Sequence, residues 1–377
     1  MTLPLSYIEI SKQNILHNFS IIRSFVHPDT KIACVVKANA YGHGQNEIAS
    51  ILEPVADYFQ VDDLQELRLL RTISHKPTLV FGYVAKQELE EALGLHGILT
   101  VYDEERLTLI DSISQKLNTT AKVHIKIDSF LGRQGLLLKD IEPYIHIIKR
   151  YKHITIDGIY THFANIEDTS DFSHAQKQID GFDTAIQLFA KHGYTNINHH
   201  IAATSGILVH EKHLGKNQIV RLGIGLYGMW PSENLQKQYQ KPTFDFKPAL
   251  RWITHIAQVK MLPKKYSIGY GLTHITKKPT KIAVIPQGYS DGYDRGFSNT
   301  GVVLIHGIKC PVLGRIAMNM FVADVTKVKN VHAEDEVVLL GTQDNTTITA
   351  EELAGYCNTI NYEVTTRISP LLTRITV

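Results

Sequence analysis

The run Lys31-Ile32-Ala33-Cys34-Val35-Val36, closed by Lys37 and followed by Ala38-Asn39-Ala40-Tyr41-Gly42-His43-Gly44, sets the reading of the whole chain. A short, near-continuous apolar run ending in a polar residue and a glycine-marked turn describes a strand covered on both faces, as in a parallel sheet. Seven more runs of this kind follow: Asp57 to Val61, Thr78 to Phe81, Ile98 to Tyr102, Val123 to Ile127, Ile156 to Thr161, Ile197 to Ala202 and Ile219 to Leu222. Their starts lie 20 to 41 residues apart, room each time for one helix and two loops. Leu64 to Arg71 and Glu105 to Leu117 carry the helical spacing of apolar residues that such gaps require. Eight βα units in succession predict an α/β fold with an N-terminal (β/α)8 TIM-like barrel. A doubly wound open sheet is the alternative that the same pattern permits.

Near residue 235 the texture changes. Helical periodicity nearly disappears from Lys241 onward, and short β-rich runs replace it: Leu250 to Leu262, Thr280 to Pro286, Gly301 to Ile305, Lys309 to Val312, Met320 to Val325 and Glu336 to Leu340. Turn signals separate them, and one helix is expected near Thr349 to Asn358. The expected division is a barrel over residues 1–238 and a mainly β domain over 239–377, with a linker at Gln236 to Thr243. A first strand at residues 6–11 is a candidate member of the β domain. The composition is that of an ordinary globular protein: 377 residues, 44% hydrophobic, 20% charged, with 39 basic against 37 acidic side chains. That balance gives no reason to expect a nucleic-acid surface. No apolar stretch approaches the roughly 18 residues of a membrane span. The N-terminus lacks the pattern of a signal peptide, and three scattered cysteines fit a reducing, cytoplasmic setting without a disulfide or metal scaffold.

In a barrel of this kind active sites sit at the C-terminal ends of the strands, which is where Lys37 falls. Burial there lowers a lysine's pKa and makes its amine a nucleophile toward carbonyls. A lysine can also cap a barrel strand with no chemistry. The loops after the seventh and eighth strands, Ala203-Thr204-Ser205-Gly206 and Arg221-Leu222-Gly223-Ile224-Gly225, are rich in small residues. Such loops let backbone N–H groups approach a phosphate, although two tight turns would read the same way. A nucleophilic lysine and a phosphate seat together suggest a phosphorylated aldehyde, pyridoxal 5'-phosphate.

Five motifs carry a resemblance that spans essentially the whole chain: Val36 to Gly44, Thr161-His162-Phe163-Ala164, Arg221-Leu222-Gly223-Ile224, Gly288-Tyr289-Ser290-Asp291-Gly292 and Ile360-Asn361-Tyr362-Glu363-Val364. By these the chain resembles the alanine racemases, pyridoxal-phosphate isomerases built from a barrel and a β domain. The resemblance implies that Lys37 carries the cofactor as a Schiff base and acts as one catalytic base, with Tyr270 as the opposite base. It implies a homodimer in which Tyr270, Tyr289 and Met318 serve the partner's site. Racemisation removes a proton from one face of Cα and returns one to the other, so two opposed bases perform it directly. A phenol, with an ordinary pKa of about 10, needs assistance as a base. His162 and Arg221 match the residues that supply it, Arg221 also facing the ring nitrogen of the cofactor.

The same resemblance assigns Arg133 to the cofactor phenolate and the substrate carboxylate, and Lys126 to a lysine often carbamylated. It assigns Tyr41, Ser205, Gly223, Ile224 and Tyr362 to the phosphate. It implies alanine as substrate and D-alanine for peptidoglycan as product. The chain departs from the family pattern at Phe130, where a glycine is usual, at Thr204, where an asparagine is usual, and at Asn319, where an acid is usual. Phe130 is expected to add bulk beside the Arg133 loop and Asn319 to remove a charge at the substrate entrance. A broader amino-acid racemase is therefore the alternative. A decarboxylase of similar build is disfavoured by the lack of a Gly-Gly-Gly loop, and a non-catalytic cofactor carrier by the presence of the β domain.

Overall fold

The computed structural model describes residues 3–210, 218–242 and 244–377. Its described strands are β1 (Tyr7–Ile10), β2 (Lys31–Val35), β3 (Tyr58–Val61), β4 (Thr78–Val80), β5 (Gly97–Val101), β6 (Ala121–Lys126), β7 (Ile154–Tyr160), β8 (Asn198–His200) and β9 (Ile219–Leu222), then β10 (Leu250–His255), β11 (Gln258–Leu262), β12 (Ser267–Ile268), β13 (His274–Ile275), β14 (Thr280–Ile285), β15 (Val302–Ile305), β16 (Ile308–Leu313), β17 (Phe321–Asp324), β18 (Glu336–Gln343), β19 (Thr346–Ile348) and β20 (Thr373–Thr376). The chain forms two units: Ile15–Ala38 with Ile48–Lys247, and the stretch ending at Asn14 with Asn39–Glu47 and Pro248–Val377.

The first unit is the barrel. Its eight parallel strands run in the order β8-β7-β6-β5-β4-β3-β2-β9. Bridges His199–Gln218 and Ala203–Arg221, with the Arg221 N–H donating to the Ala202 carbonyl at 3.0 Å, close the ends of the sheet on each other. The strands are buried on both faces, which is why they read as apolar runs: every residue of β3, β4 and β5 is buried. Ala33, Tyr58, Leu79, Ile98 and Ile219, contributed by β2, β3, β4, β5 and β9, pack as one cluster. The helix Leu64–Arg71 shows how a crossover forms. Asp63 caps it by accepting the Glu66 N–H at 2.9 Å, and Leu64, Leu67 and Leu70 fall on its buried face. Truncating Leu67, which is fully buried, to alanine would cost about 2–5 kcal/mol.

Some boundaries differ from expectation. β8 spans only three of the expected residues, because the chain turns at Ile201 toward the helix Thr204–His210. Gln236–Tyr239 belong to the helix Glu233–Tyr239, whose cap is the Ser232 hydroxyl accepting from the Leu235 N–H at 3.2 Å. The expected linker thus begins inside a helix, and its last residue, Thr243, lies outside the described residues.

The second unit is mostly β. One ten-stranded sheet follows the order β11-β14-β17-β16-β15-β18-β10-β1-β20, with β19 paired to β18. β1 lies antiparallel to β10 and parallel to β20, so Ile8 faces Trp252 on one side and Arg374 on the other. The expected run Leu250 to Leu262 is two strands, since β10 pairs with β1 and β18 whereas β11 pairs with β14. A second helix, Asn361–Thr366, follows the expected one at Ala350–Cys357. It is too short to show a helical repeat in sequence.

The backbone after Lys37 is unusual. Ala38, Asn39, Ala40 and Tyr41 have φ of 52°, 52°, 53° and 54°, a left-handed turn made of L-residues. Each residue in that conformation costs roughly 1–2 kcal/mol. Gly42 continues at φ 83°, and a Cβ there would lie 1.9 Å from the Thr365 carbonyl oxygen, so only glycine fits. No helix of the described residues is long and apolar enough to cross a membrane.

Candidate active site

The C-terminal ends of the barrel strands converge on Arg221, in β9, which is almost fully buried. Its Nη1 donates to His200 Nδ1 at 2.6 Å, and its Nη2 donates to His162 Nδ1 at 2.9 Å, to the Ile201 carbonyl at 2.8 Å and to the Thr161 carbonyl at 3.1 Å. A guanidinium has no acceptor, so both imidazoles must offer Nδ1 as a lone pair. Each neutral ring then carries its proton on Nε2. His200 Nε2 lies 2.9 Å from His124 Nδ1, and His124 Nε2 lies 3.1 Å from Asp157 Oδ2. Donation therefore runs one way, from guanidinium through two buried imidazoles to a carboxylate. Burial, reinforced by the Arg221 charge, pushes His200 well below its ordinary value and His162 down to about 2. Both rings are neutral at physiological pH.

Lys126 ends β6, buried with its Nζ 4.4 Å from the centre of the Tyr160 ring. Desolvation, followed by the nearby charges of Arg221 and Arg133, lowers it to about 7. Lys37 follows β2 with its Nζ 3.5 Å from Asp62 Oδ1, and its charge also weighs on His162. Arg133 is exposed on a loop whose N–H groups at Leu131, Gly132 and Arg133 all donate to the Asp128 carboxylate. Phe130, beside it, has φ 62°, the left-handed region that makes glycine common at such a place. Its ring takes Lys177 Nζ 4.1 Å from its centre and is 43% exposed.

Ser205 and Thr204 start the helix Thr204–His210, and Gly223 and Ile224 begin the tight turn after β9. The Thr204 hydroxyl accepts from the Gly223 N–H at 3.3 Å and the Gly225 N–H at 3.4 Å, tying the two loops together. The Ser205 hydroxyl donates to Glu167 Oε1 at 2.6 Å. Ser205 and Glu167 share with His162 a polar cavity of about 300 Å³.

The remaining candidates lie in the second unit. Tyr41 and Tyr362 face each other with ring centroids 6.0 Å apart. Tyr270, Tyr289, Met318 and Asn319 line a concavity of about 480 Å³ with Arg295 and Arg315. Tyr270 stands between Gly269 (φ 72°) and Gly271 (φ 71°) and is 74% exposed. The Tyr289 N–H donates to the Ala317 carbonyl at 3.2 Å, and the Asn319 amide donates to the Ser290 hydroxyl at 2.8 Å, lacing two loops into one wall.

Residues 10–231 match the family model for the alanine racemase N-terminal domain, and residues 249–376 match the one for the C-terminal domain. The chain belongs to the alanine racemase family. An alanine racemase of Methanococcus maripaludis is 37% identical over 98% of each chain. The crystal structure of alanine racemase from Bacillus anthracis with bound L-Ala-P superposes with a TM-score of 0.92 at 31% identity, covering 100% of this chain and 96% of that one. Alanine racemase from Bartonella henselae with covalently bound pyridoxal phosphate gives 0.85 at 26% identity, covering 99% and 100%. The chain is thus an isomerase acting on amino acids, with the family's barrel and mainly β C-terminal domain.

The residues present fit the cofactor of that relative. The Ser205 hydroxyl is a donor that already meets a carboxylate oxygen, that of Glu167, and Lys37 supplies a primary amine just beyond the end of β2, the strand next to β9. Among the described barrel residues, sequence reasoning singled out Lys37, Lys126, Arg133, His162, Ser205, Arg221, Gly223 and Ile224. It passed over His124, His200, Asp157, Asp62, Glu66 and Glu167. His124 had a usable signal: it lies two residues before Lys126 on β6, hence on the same face of that strand.

Proposed function

We propose that this chain interconverts L- and D-alanine with pyridoxal 5'-phosphate in a homodimer whose sites are shared, Lys37 and Tyr270 of the partner subunit acting on opposite faces of Cα. When bound, the cofactor supplies an electron-withdrawing ring that makes the Cα proton acidic. Lys37 would hold it covalently, and Tyr41, Ser205, Gly223, Ile224 and Tyr362 would hold its phosphate. Arg133 would take the cofactor oxygen and the substrate carboxylate, with Met318 and Tyr289 closing the substrate side.

The Arg221 network is the observation that carries this reading. Because Arg221 claims the Nδ1 of His162, that ring has only an Nε2–H to present. An N–H stabilises an oxyanion, so His162 is built to favour the phenolate form of a tyrosine, the form that accepts a proton. Arg221, held by two imidazoles and three carbonyls, cannot give up a proton, and a ring nitrogen facing it would stay unprotonated. Lys126 at about 7 has a substantial neutral fraction, and a neutral amine is what carbon dioxide captures. The resulting carbamate would set a negative charge between two guanidiniums. Dimer formation is supported by Tyr270, Leu272, Ile275, Met318 and Met320, all more than half exposed in one unit. D-alanine for cell-wall peptide is the use this activity implies.

A chiral product assay tests the proposal: purified protein, added cofactor, and L-alanine, L-serine, L-lysine or L-glutamate offered separately. Conversion confined largely to alanine upholds it. Comparable conversion of several substrates makes this a broad racemase and turns attention to Phe130 and Asn319. No D-product with cofactor bound overturns it.

A further inference from the structure

Glu66 sits in the first turn of the helix Leu64–Arg71, half-buried, and both of its carboxylate oxygens are committed to backbone. The Ala38 N–H donates to its Oε1 at 2.6 Å, and the Asp62 N–H donates to its Oε2 at 2.6 Å. Ala38 follows Lys37 directly and opens the left-handed turn. Asp62 follows β3 directly, and its own carboxylate is the partner of the Lys37 amine at 3.5 Å. One side chain therefore spans the ends of two neighbouring strands and grips the peptide beside the lysine together with the peptide that bears the lysine's counter-ion.

We infer that Glu66 is the positioning residue for Lys37: its carboxylate clamps the ends of β2 and β3 and so fixes where the lysine amine stands. The contacts are short and charge-assisted, the stronger kind of hydrogen bond. The helix that carries Glu66 is anchored by buried Leu64, Leu67 and Leu70 and by the Asp63 cap, so the clamp is mounted on a fixed element. The segment it grips is one that L-residues enter only under constraint, since Ala38 through Tyr41 all have φ above 50°. A backbone in an unfavourable region relaxes when its restraint is removed, and Lys37 is the residue such a relaxation would displace first. An ordinary helix-capping glutamate would reach its own cap. Here one oxygen stays on Asp62, just before the helix's own cap, while the other crosses to Ala38, beyond the end of β2.

The inference rests on Lys37 being the cofactor-bearing residue, and the test separates the two claims. Full-length Glu66→Gln and Glu66→Ala proteins are compared with wild type in three measurements. These are amide hydrogen exchange at Ala38 and Asp62 without cofactor, the rate at which Lys37 captures pyridoxal 5'-phosphate (read by borohydride reduction and peptide mass), and thermal stability. Glutamine keeps one acceptor and presents an N–H to the other amide. Exchange at one of the two amides should then rise about tenfold, and capture should slow by about tenfold. Alanine should release both amides and slow capture further, while Glu66→Asp, which keeps the charge, should recover part of the rate. Capture at the wild-type rate in both variants, with only the melting temperature lowered, would make Glu66 a helix cap and overturn the inference. Should wild-type protein attach no cofactor at Lys37, the functional reading falls, and exchange alone decides the clamp: faster exchange at both Ala38 and Asp62 in Glu66→Ala upholds it, unchanged exchange at Ala38 overturns it.

Discussion

The two units treat their functional side chains in opposite ways. In the barrel, Arg221, His200, His124 and Lys126 are buried and, around Arg221, wired to one another before any ligand arrives. In the β unit, Tyr270, Tyr289 and Met318 stand on glycine-flanked or laced loops and are 74%, 42% and 54% exposed. A buried polar network is stable only if every member is satisfied, so its geometry is settled by folding itself. An exposed aromatic has nothing of its own to settle it and takes its place from whatever surface it meets. The contrast teaches that one unit stores preorganisation and the other stores reach.

The largest expected effect falls on the barrel. Lys37→Ala should abolish covalent cofactor attachment and lower racemisation in both directions by more than about a thousandfold, checked by the chiral assay and by absorbance. Tyr270→Phe should lower activity by about a hundredfold or more yet leave the melting temperature unchanged, because the hydroxyl is exposed and has no core to disturb. A fall of several degrees in that variant would erase the contrast. Arg221→Leu should instead melt early, since three carbonyls and two imidazoles lose their donor at about 1–3 kcal/mol for each orphaned group.

Smaller effects follow from protonation. Lys126 stands at about 7 in the fold against an unfolded value near 10.5. Between those values the unfolded chain binds one more proton than the native one, so stability should rise with pH across that window. Lys126→Met should flatten the slope, and NMR with labelled bicarbonate should show a carbamate carbon growing as pH rises through about 7. On the acid side the barrel holds His124, His162, His199 and His200 below their ordinary value, whereas among the described residues the β unit holds His43, at about 4. Below pH 6.5 the unfolded chain takes up protons that these native rings refuse, so stability falls with pH, and the barrel should be weakened first. Trp230 lies in the barrel and Trp252 in the β unit, each buried. Fluorescence of Trp230→Phe and Trp252→Phe variants should place the Trp230 transition at the higher pH, and coincident transitions would sink the idea.

Legibility in sequence followed the same divide between repeating and singular features. Eight strands were readable because burial on both faces repeats the same apolar texture eight times. The helix Asn361–Thr366 was not, since six residues hold no period, and the break at Ile256 that splits β10 from β11 depends on which neighbours each half finds. In the site, Lys37, His162 and Arg221 stood out through motifs. The line from Arg221 to Asp157 did not, because it joins residues from β6, β7, β8 and β9 through contacts that no spacing along the chain announces. Glu66, an acid in the first turn of a helix, has partners on Ala38 and Asp62 that nothing in its spacing marks.

The position of β1 has a consequence for how the protein is made. Its two neighbours, β10 and β20, are supplied by the beginning and the very end of the last third of the chain. At a synthesis rate of roughly 5–20 residues per second, the first strand leaves the ribosome tens of seconds before its second partner exists. The barrel's strands are complete by Leu222 and can close in the meantime. The newborn β1 must wait with an unpaired edge, Ile8 and Ile10 uncovered, which marks it as a place for chaperones to protect.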